Sequence, residues 1–260
     1  MSIYVGIGGW VYEPWRQTFY PEGLPQKREL EYAAAHMTAI EINGTYYGSQ
    51  KPESFRRWRD ETPKGFVFTV KGPRFATNRR VLAEAGGSIE KFFTSGVTEL
   101  KEKLGAVNWQ FMATKKFDAG DFEAFLKLLP RKVDGLAIRH AVEVRHDSFK
   151  HKAFVELCRK HGVAIVFGAD SDFPLIADVT ADFVYARIMG TQAKEELGYP
   201  PAMLKKWAQR AKAWEAGETP QKLPLLAQPA PEKKRDAFLF VISGAKDRNP
   251  AAAQAIIAAL

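Results

Sequence analysis

Short apolar segments alternate with longer amphipathic segments along almost the whole chain, and this alternation restricts the possible folds. Eight segments have the length and composition of strands, namely residues 4–8, 39–42, 66–71, 106–111, 141–145, 164–169, 183–187 and 238–242. Seven have helical periodicity, namely residues 26–36, 52–59, 88–104, 121–129, 151–161, 201–214 and 250–260. Repeated strand–helix units predict an α/β fold, a TIM-type (β/α)₈ barrel. The competing fold, an open doubly wound sheet, lacks support because no convincing Gly-rich dinucleotide turn is present.

Two helix ends carry recognisable signals. Gly162 follows the helical segment 151–161 and is predicted to end it, because glycine tolerates the left-handed backbone found after helices. Asp121 stands at the start of the segment 121–129 and is predicted to cap it by accepting a backbone N–H.

The composition fits one globular domain. Of 260 residues, 46% are hydrophobic and 26% are charged, so residues 1–260 are expected to form a single core. No apolar run reaches the roughly 20 residues that cross a bilayer. No signal peptide is recognisable at the N-terminus, so we expect no membrane partner. The single cysteine, Cys158, favours the reducing cytoplasm. Residues 216–235 are rich in proline and predict an extended insertion before the last strand.

Charged side chains occur at the ends of the predicted strands. Glu143 and Arg145 alternate with valines, so the two charged side chains share one face of their strand. Glu41 and Asn43 repeat this arrangement on an earlier strand. In a (β/α)₈ barrel the C-terminal strand ends form the active site. The predicted mouth therefore contains, with these residues, the side chains of Lys71, Gln110, Asp170 and Arg187. The alternative interpretation is a structural network of ion pairs that fills the barrel.

Several ordered motifs resemble the DUF72 family, also called YecE-like or UPF0759. They are Gly6–Tyr12, Trp15, Phe19–Pro21, Glu41–Tyr47, Trp58, Thr62–Phe66, Lys71–Pro73, Glu143–Ser148 and Ala169–Ser171. The resemblance implies a TIM-type barrel of unestablished activity, distantly related to sugar isomerases. The chain departs from the family pattern at Asn78 and Met189, where histidines are common, at Met112, where proline is common, and at residues 241–244, where paired asparagines are common. Any chemistry that depends on those histidines is therefore in question.

The favoured function is an enzyme that acts on a small polar or anionic metabolite, such as a sugar or sugar phosphate. Glu143 or Glu41 would act as general acid or base if burial moved the carboxyl pKa toward neutrality. His146 would be a second acid or base, or else a hydrogen-bonding residue of its loop. The remaining candidates would bind substrate: cations for an anionic group, aromatic rings for a sugar face, and polar side chains for hydroxyls. They are Lys71, Arg145, Arg187, Asn43, Gln110, Asp170, Trp10, Tyr12 and Tyr46. The aromatic residues are equally expected as apolar plugs of the barrel.

No cofactor is expected. A divalent metal ion between Glu41, Glu143 and Asp170 is the less favoured alternative, because cations lie close by in the predicted mouth. Binding or processing of nucleic acid is the second choice of function, suggested by the net charge of +8 and by aromatic residues next to arginines, such as Trp58 and Phe75. A non-catalytic ligand-binding barrel is the third, favoured by the missing family histidines.

Overall fold

Eight parallel strands close into a barrel in a computed structural model that describes residues 2–220 and 222–260. The strands follow one another around the barrel in chain order, with the last strand paired to the first. They are β1 (Ile3–Gly8), β2 (Ala39–Ile42), β3 (Val67–Lys71), β4 (Leu104–Gln110), β5 (His140–Glu143), β6 (Ala164–Ala169), β7 (Phe183–Ile188) and β8 (Asp236–Val241). The predicted TIM-type barrel is confirmed.

Helices cover the outside of the barrel. In the part of the chain that the structure describes, those of eight or more residues are α1 (Glu29–His36), α2 (Pro52–Asp60), α3 (Gly86–Thr94), α4 (Ala119–Leu128), α5 (Lys152–His161), α6 (Pro201–Ala216) and α7 (Asn249–Ala258). Two helical turns, Gly44–Tyr47 and Arg74–Thr77, follow β2 and β3. Within these described residues, no helix combines the length and apolarity needed to span a bilayer.

Alternate residues of each strand face the barrel interior or the helices. Ile40, Ile42 and Val142 pack in the layer under the helices, as their alternation predicts. The interior positions change character along each strand. On β7 they run from Phe183 through Tyr185 to Arg187, so the lower barrel is apolar and the upper barrel is polar. Within the barrel interior, the buried charges of Glu41, Lys71, Glu143 and Arg187 therefore lie at the end where the strands terminate.

The predicted helix 88–104 is wrong in its second half. The α-helix ends at Thr94, and Gly96 adopts the left-handed φ of 98° before a 3₁₀ segment, Val97–Lys103. A side chain at Gly96 would lie 2.8 Å from Pro52, so glycine also permits the close contact with α2. The break turns the chain into β4, which periodicity alone did not reveal.

The two predicted helix ends have different outcomes. Gly162 adopts a φ of 65° after α5, as predicted. Asp121 does not cap α4, because Asp118 accepts the backbone N–H of Asp121 instead. The Asp121 carboxylate accepts the N–H of Leu82 at 2.6 Å and thereby ties a neighbouring 3₁₀ turn to α4.

The segment 222–235, which precedes β8, contains no strand or helix. It is held to the barrel by the buried carboxylate of Asp178, which accepts the backbone N–H groups of Leu226 and Ala227 at 2.8 and 2.9 Å. Asp178 belongs to residues 170–182, which link β6 to β7 without a helix.

Candidate functional site at the barrel mouth

A buried ionic cluster lies inside the barrel at the C-terminal ends of the strands. Its centre is Arg187 of β7, which bridges two carboxylates from opposite parts of the sheet. The Arg187 guanidinium donates to Glu143 Oε2 at 2.5 Å and to Glu41 Oε1 at 3.1 Å. All three side chains are at most 4% exposed, so each charge depends on the others for compensation.

Neutral side chains complete the coordination of the two carboxylates. The Tyr185 hydroxyl donates to Glu41 Oε2 at 2.6 Å and accepts from the Thr69 hydroxyl at 2.8 Å. The Asn108 amide nitrogen lies 3.4 Å from Glu41 Oε2 and 3.3 Å from Glu143 Oε2. Both carboxylates are therefore oriented by donors on several strands, which fixes their geometry.

A second half of the cluster lies nearer the solvent. Arg145 follows β5, and its guanidinium donates to Glu143 Oε1 at 2.7 Å and to Gln110 Oε1 at 2.9 Å. The Lys71 ammonium donates to the same Gln110 oxygen. Phe173 stacks on the Arg145 guanidinium at 4.3 Å. The Arg145 side chain is 22% exposed, so this half of the cluster is less deeply buried than Arg187.

Burial and the surrounding charges shift the pKa values of Glu143 and Lys71. Burial raises the pKa of Glu143, but Arg187 and the two other cations outweigh it and lower that pKa to about 2. Burial and the charge of Arg187 lower the pKa of Lys71 to about 8, because the two carboxylates compensate only in part. The expected shift of a carboxyl pKa toward neutrality is therefore wrong for Glu143. With all five groups charged, the cluster has one positive charge in excess.

A family model described as "Protein of unknown function DUF72" matches residues 4–260 of the chain. The chain belongs to the DUF72 family. The UPF0759 protein YecE of Escherichia coli K12 is 29% identical over 164 residues, which are 62% of this chain and 55% of that protein. The alignment thus spans about half the length of that curated relative.

Solved structures of DUF72 proteins share the barrel fold. A DUF72 family protein from Thermotoga maritima MSB8 superposes with a TM-score of 0.72 at 23% identity, covering 99% of this chain and 97% of that one. A DUF72 family protein from Enterococcus faecalis V583 gives a TM-score of 0.68 at 17% identity, covering 98% and 93%. At these identities the comparisons establish the fold.

Two predicted site residues of this DUF72 barrel lie apart from the ionic cluster. The His146 ring accepts the backbone N–H of Ser148 at 3.1 Å through Nδ1, so it caps its own loop. Asp170 is exposed, has a positive φ of 57°, and accepts from the Tyr199 hydroxyl at 3.0 Å. Both residues follow the ends of their strands, where alternation no longer determines the direction of a side chain.

The predicted aromatic and amide ligands also surround the barrel mouth. Trp10 and Asn43 line a cleft of about 580 Å³ above β1, β2 and β8, with Gln50 and Ser243. Trp10 is held there by edge-to-face contact with Trp58 at 5.2 Å.

Tyr12 and Tyr46 have different surroundings. Tyr12 packs edge-to-face on Trp15, 5.3 Å away, beneath the Lys246 ammonium, which lies 4.1 Å from the Tyr12 ring centroid. Tyr46 is buried, and its ring centroid lies 5.4 Å from Lys71 Nζ. Of the predicted aromatic residues, Tyr46 therefore contacts the ionic cluster and Trp10 lines the cleft.

The metal alternative needs Glu41, Glu143 and Asp170 in one place, and the structure separates Asp170 from the other two. Across residues 2–220 and 222–260, no group of three or more His, Cys, Asp or Glu side chains lies close enough together to hold a metal ion. The two carboxylates of the cluster are instead bridged by Arg187.

The departures from the DUF72 pattern lie at or near this end of the barrel. Met189 is buried in the barrel interior, where its terminal methyl lies close to Gly168. Asn78 follows the turn Arg74–Thr77 and accepts from the Thr77 hydroxyl at 3.5 Å. Neither side chain can transfer a proton near neutral pH, so neither can take over acid–base chemistry from the histidines common in the family.

Several residues of the site were missing from the sequence prediction, among them Tyr185, Phe173 and Tyr199. Tyr185 stands two positions before Arg187 on the same face of β7, so strand alternation would have found it. Phe173 and Tyr199 lie in loops, and only the tertiary structure shows their contacts with Arg145 and Asp170.

Proposed function

We propose that the barrel mouth binds a small anionic metabolite, such as a sugar phosphate, through Lys71 and Arg145. The observation that carries this proposal is the excess positive charge of the buried cluster, because unpaired buried charge is costly. Lys71 donates to the Gln110 amide and not to a carboxylate. A phosphate or carboxylate of a ligand would supply the missing negative charge and accept hydrogen bonds from both cations.

The other members of the cluster would orient its side chains and would not contact the ligand. Arg187 is enclosed between Glu41 and Glu143 and is 2% exposed, so contact with a ligand would require these pairs to break. Glu143, with a pKa of about 2, stays ionised at neutral pH and cannot donate a proton there. We therefore propose that Glu143 orients Arg145 and Arg187, and that Glu41 shares this role.

The adjoining cleft suits the uncharged part of such a ligand. It opens at the same end of the barrel, and its volume of about 580 Å³ lies in the range of small-molecule sites. Trp10 offers an aromatic face, and Asn43 and Gln50 offer amides that can bind hydroxyl groups. A sugar phosphate combines these features, in keeping with the distant relation to sugar isomerases that the family resemblance implies.

Ligand-induced thermal stabilisation tests this proposal. At equal ionic strength, ribose 5-phosphate should raise the melting temperature more than ribose, because a ligand that binds the native state stabilises it by about 2.7 kcal/mol at a hundred times its Kd. In the Lys71→Met and Arg145→Met variants, the apparent affinity for ribose 5-phosphate should be at least tenfold lower. Arg139→Met is the matched control, since Arg139 pairs with Asp236 at the other end of the barrel.

Equal responses of all three variants would refute the assigned site. An unchanged melting temperature with every sugar phosphate and 2-oxo acid tested would refute the ligand class. NMR spectra of the same mixtures then distinguish an enzyme, which forms product, from a non-catalytic barrel, which binds without turnover.

A second candidate function, binding of single-stranded nucleic acid, is favoured by exposed aromatic residues on the rim. Tyr47 and Phe75 are 66% and 59% exposed, and the Arg74 guanidinium lies 5.9 and 5.5 Å from their ring centroids. Arg79 and Lys91 line the neighbouring cleft of about 360 Å³. Bases stack on such rings while cations contact phosphates.

Anisotropy of a labelled oligothymidylate tests this second function. Binding should weaken steeply as salt rises, and Phe75→Ala should cost about 1–3 kcal/mol of affinity, the worth of one stacked base. Leu260→Ala is the control, because Leu260 is an exposed apolar residue at the far end of α7. No binding at low salt, or equal losses in both variants, would exclude nucleic acid as the partner of this rim.

A further inference from the structure

Lys71 and Lys103 are both buried lysines, but their ammonium groups have different surroundings. Lys103 Nζ donates to Arg59 O, Thr62 O and Thr62 Oγ1 at 2.6, 2.7 and 3.0 Å, which uses all three of its donors. Among the described residues, Lys71 Nζ has one hydrogen-bond partner, Gln110 Oε1. Lys71 is 7% exposed and lies at the C-terminal end of β3, where barrels of this type place their reacting groups.

We propose that Lys71 is an amine nucleophile that forms an imine with the carbonyl carbon of a small anionic aldehyde or ketone, such as a 2-oxo acid or an aldose phosphate. This inference rests on the proposed function, because Arg145 would hold the anionic group while the Lys71 amine reaches the carbonyl. Gln110 accepts from both side chains and so holds them side by side.

The surroundings of Lys71 favour the uncharged amine that the reaction needs. Burial has the largest effect and the charges of Arg187 and Arg145 add to it, whereas Glu41 and Glu143 favour the charged form. The resulting pKa of about 8 leaves a sizeable neutral fraction at physiological pH. An ordinary lysine of pKa about 10.4 has, at pH 8, roughly a hundredfold less neutral amine.

The reaction balances without a co-reactant. The Lys71 ammonium first releases a proton, and its nitrogen lone pair then forms the C–N bond while the carbonyl π electrons move to oxygen. The released proton and one from nitrogen convert that oxygen into water as the C–O bond breaks. The products are a protonated imine and one water molecule, so the single positive charge is conserved. The imine then withdraws electrons from the neighbouring carbon, which is the purpose of such an intermediate.

Reductive trapping tests the proposal. The protein is incubated with glyoxylate and sodium cyanoborohydride, and peptide mass spectrometry locates the carboxymethyl-lysine that forms. At pH 8 the yield on Lys71 should exceed that on Lys103 and on surface lysines at least tenfold. Neutral glycolaldehyde should show a smaller preference for Lys71, and Arg145→Met should remove the preference for glyoxylate.

Two variants keep the outcome interpretable. Lys71→Met should lose both the adduct and the thermal stabilisation by glyoxylate, whereas Lys71→Arg should lose the adduct and keep stabilisation, because it retains the charge. Stabilisation of the wild type by glyoxylate without an adduct on Lys71 overturns the imine and leaves anion binding intact. If glyoxylate neither stabilises the protein nor forms an adduct, both the anion site and the imine are overturned. If all lysines are modified equally, the imine is overturned.

Discussion

At the residue scale, Arg187 decides whether two carboxylates can remain charged inside the barrel. Its guanidinium is 3% exposed and donates to both Glu41 and Glu143. Arg187→Met should therefore lower the free energy of unfolding by about 3–5 kcal/mol, the usual cost of leaving a buried partner unpaired. Urea denaturation at neutral pH measures this change. The control is Arg28→Met, which removes an exposed pair with Glu31 and should cost about 0–1 kcal/mol.

A second substitution identifies the source of the loss. Glu41→Gln in the Arg187→Met background removes the carboxylate that loses its ion pair, whereas Glu143 keeps its pair with Arg145, so the double variant should recover part of the stability. If the double variant is less stable than Arg187→Met alone, packing around Arg187 and not charge compensation explains the effect.

At the scale of secondary-structure elements, the sequence predicts strands better than helix ends. All eight barrel strands were recognisable, because each is a short apolar run whose alternate positions face two different layers. The break in the helix 88–104 was not, because Gly96 is needed for contact with Pro52, a residue distant in sequence. Asp121 was likewise wrongly predicted as a cap, because only the tertiary structure shows that its carboxylate accepts a hydrogen bond from a neighbouring turn.

The candidate site was predictable where its residues lie on strands. Alternation and the convergence of strand ends placed Glu41, Lys71, Glu143 and Arg187 together, and the structure has them in one cluster. Beyond the strand ends this logic holds for Arg145, whose guanidinium contacts Glu143, but fails for Asp170. Asp170 lies in a loop whose contacts involve residues distant in sequence, so nothing local determines where its side chain points.

At the scale of the whole molecule, acid should destabilise the barrel at a pH above the pKa of Glu143. His140 begins β5 and is buried, where Nδ1 accepts from the Trp109 indole at 3.1 Å and Nε2 donates to Pro130 O at 2.8 Å. Burial lowers the pKa of His140 to about 4, although the bond to Pro130 opposes the shift. The unfolded chain has an ordinary histidine pKa of about 6.5. Between these two values the unfolded state takes up a proton that the native state does not bind.

Because the native pKa is the lower one, this contribution to stability is complete above pH 6.5 and is lost as pH falls toward about 4. Its size is about 3 kcal/mol, from the difference between the two pKa values. Urea denaturation from pH 7 down to about pH 2 should therefore show stability that falls between pH 6.5 and about 4. His140→Gln keeps an acceptor and a donor and should flatten the curve in this window, while the loss below it, where Glu143 with its pKa of about 2 protonates, should remain. Parallel curves for the wild type and the variant would show that other groups cause the acid sensitivity.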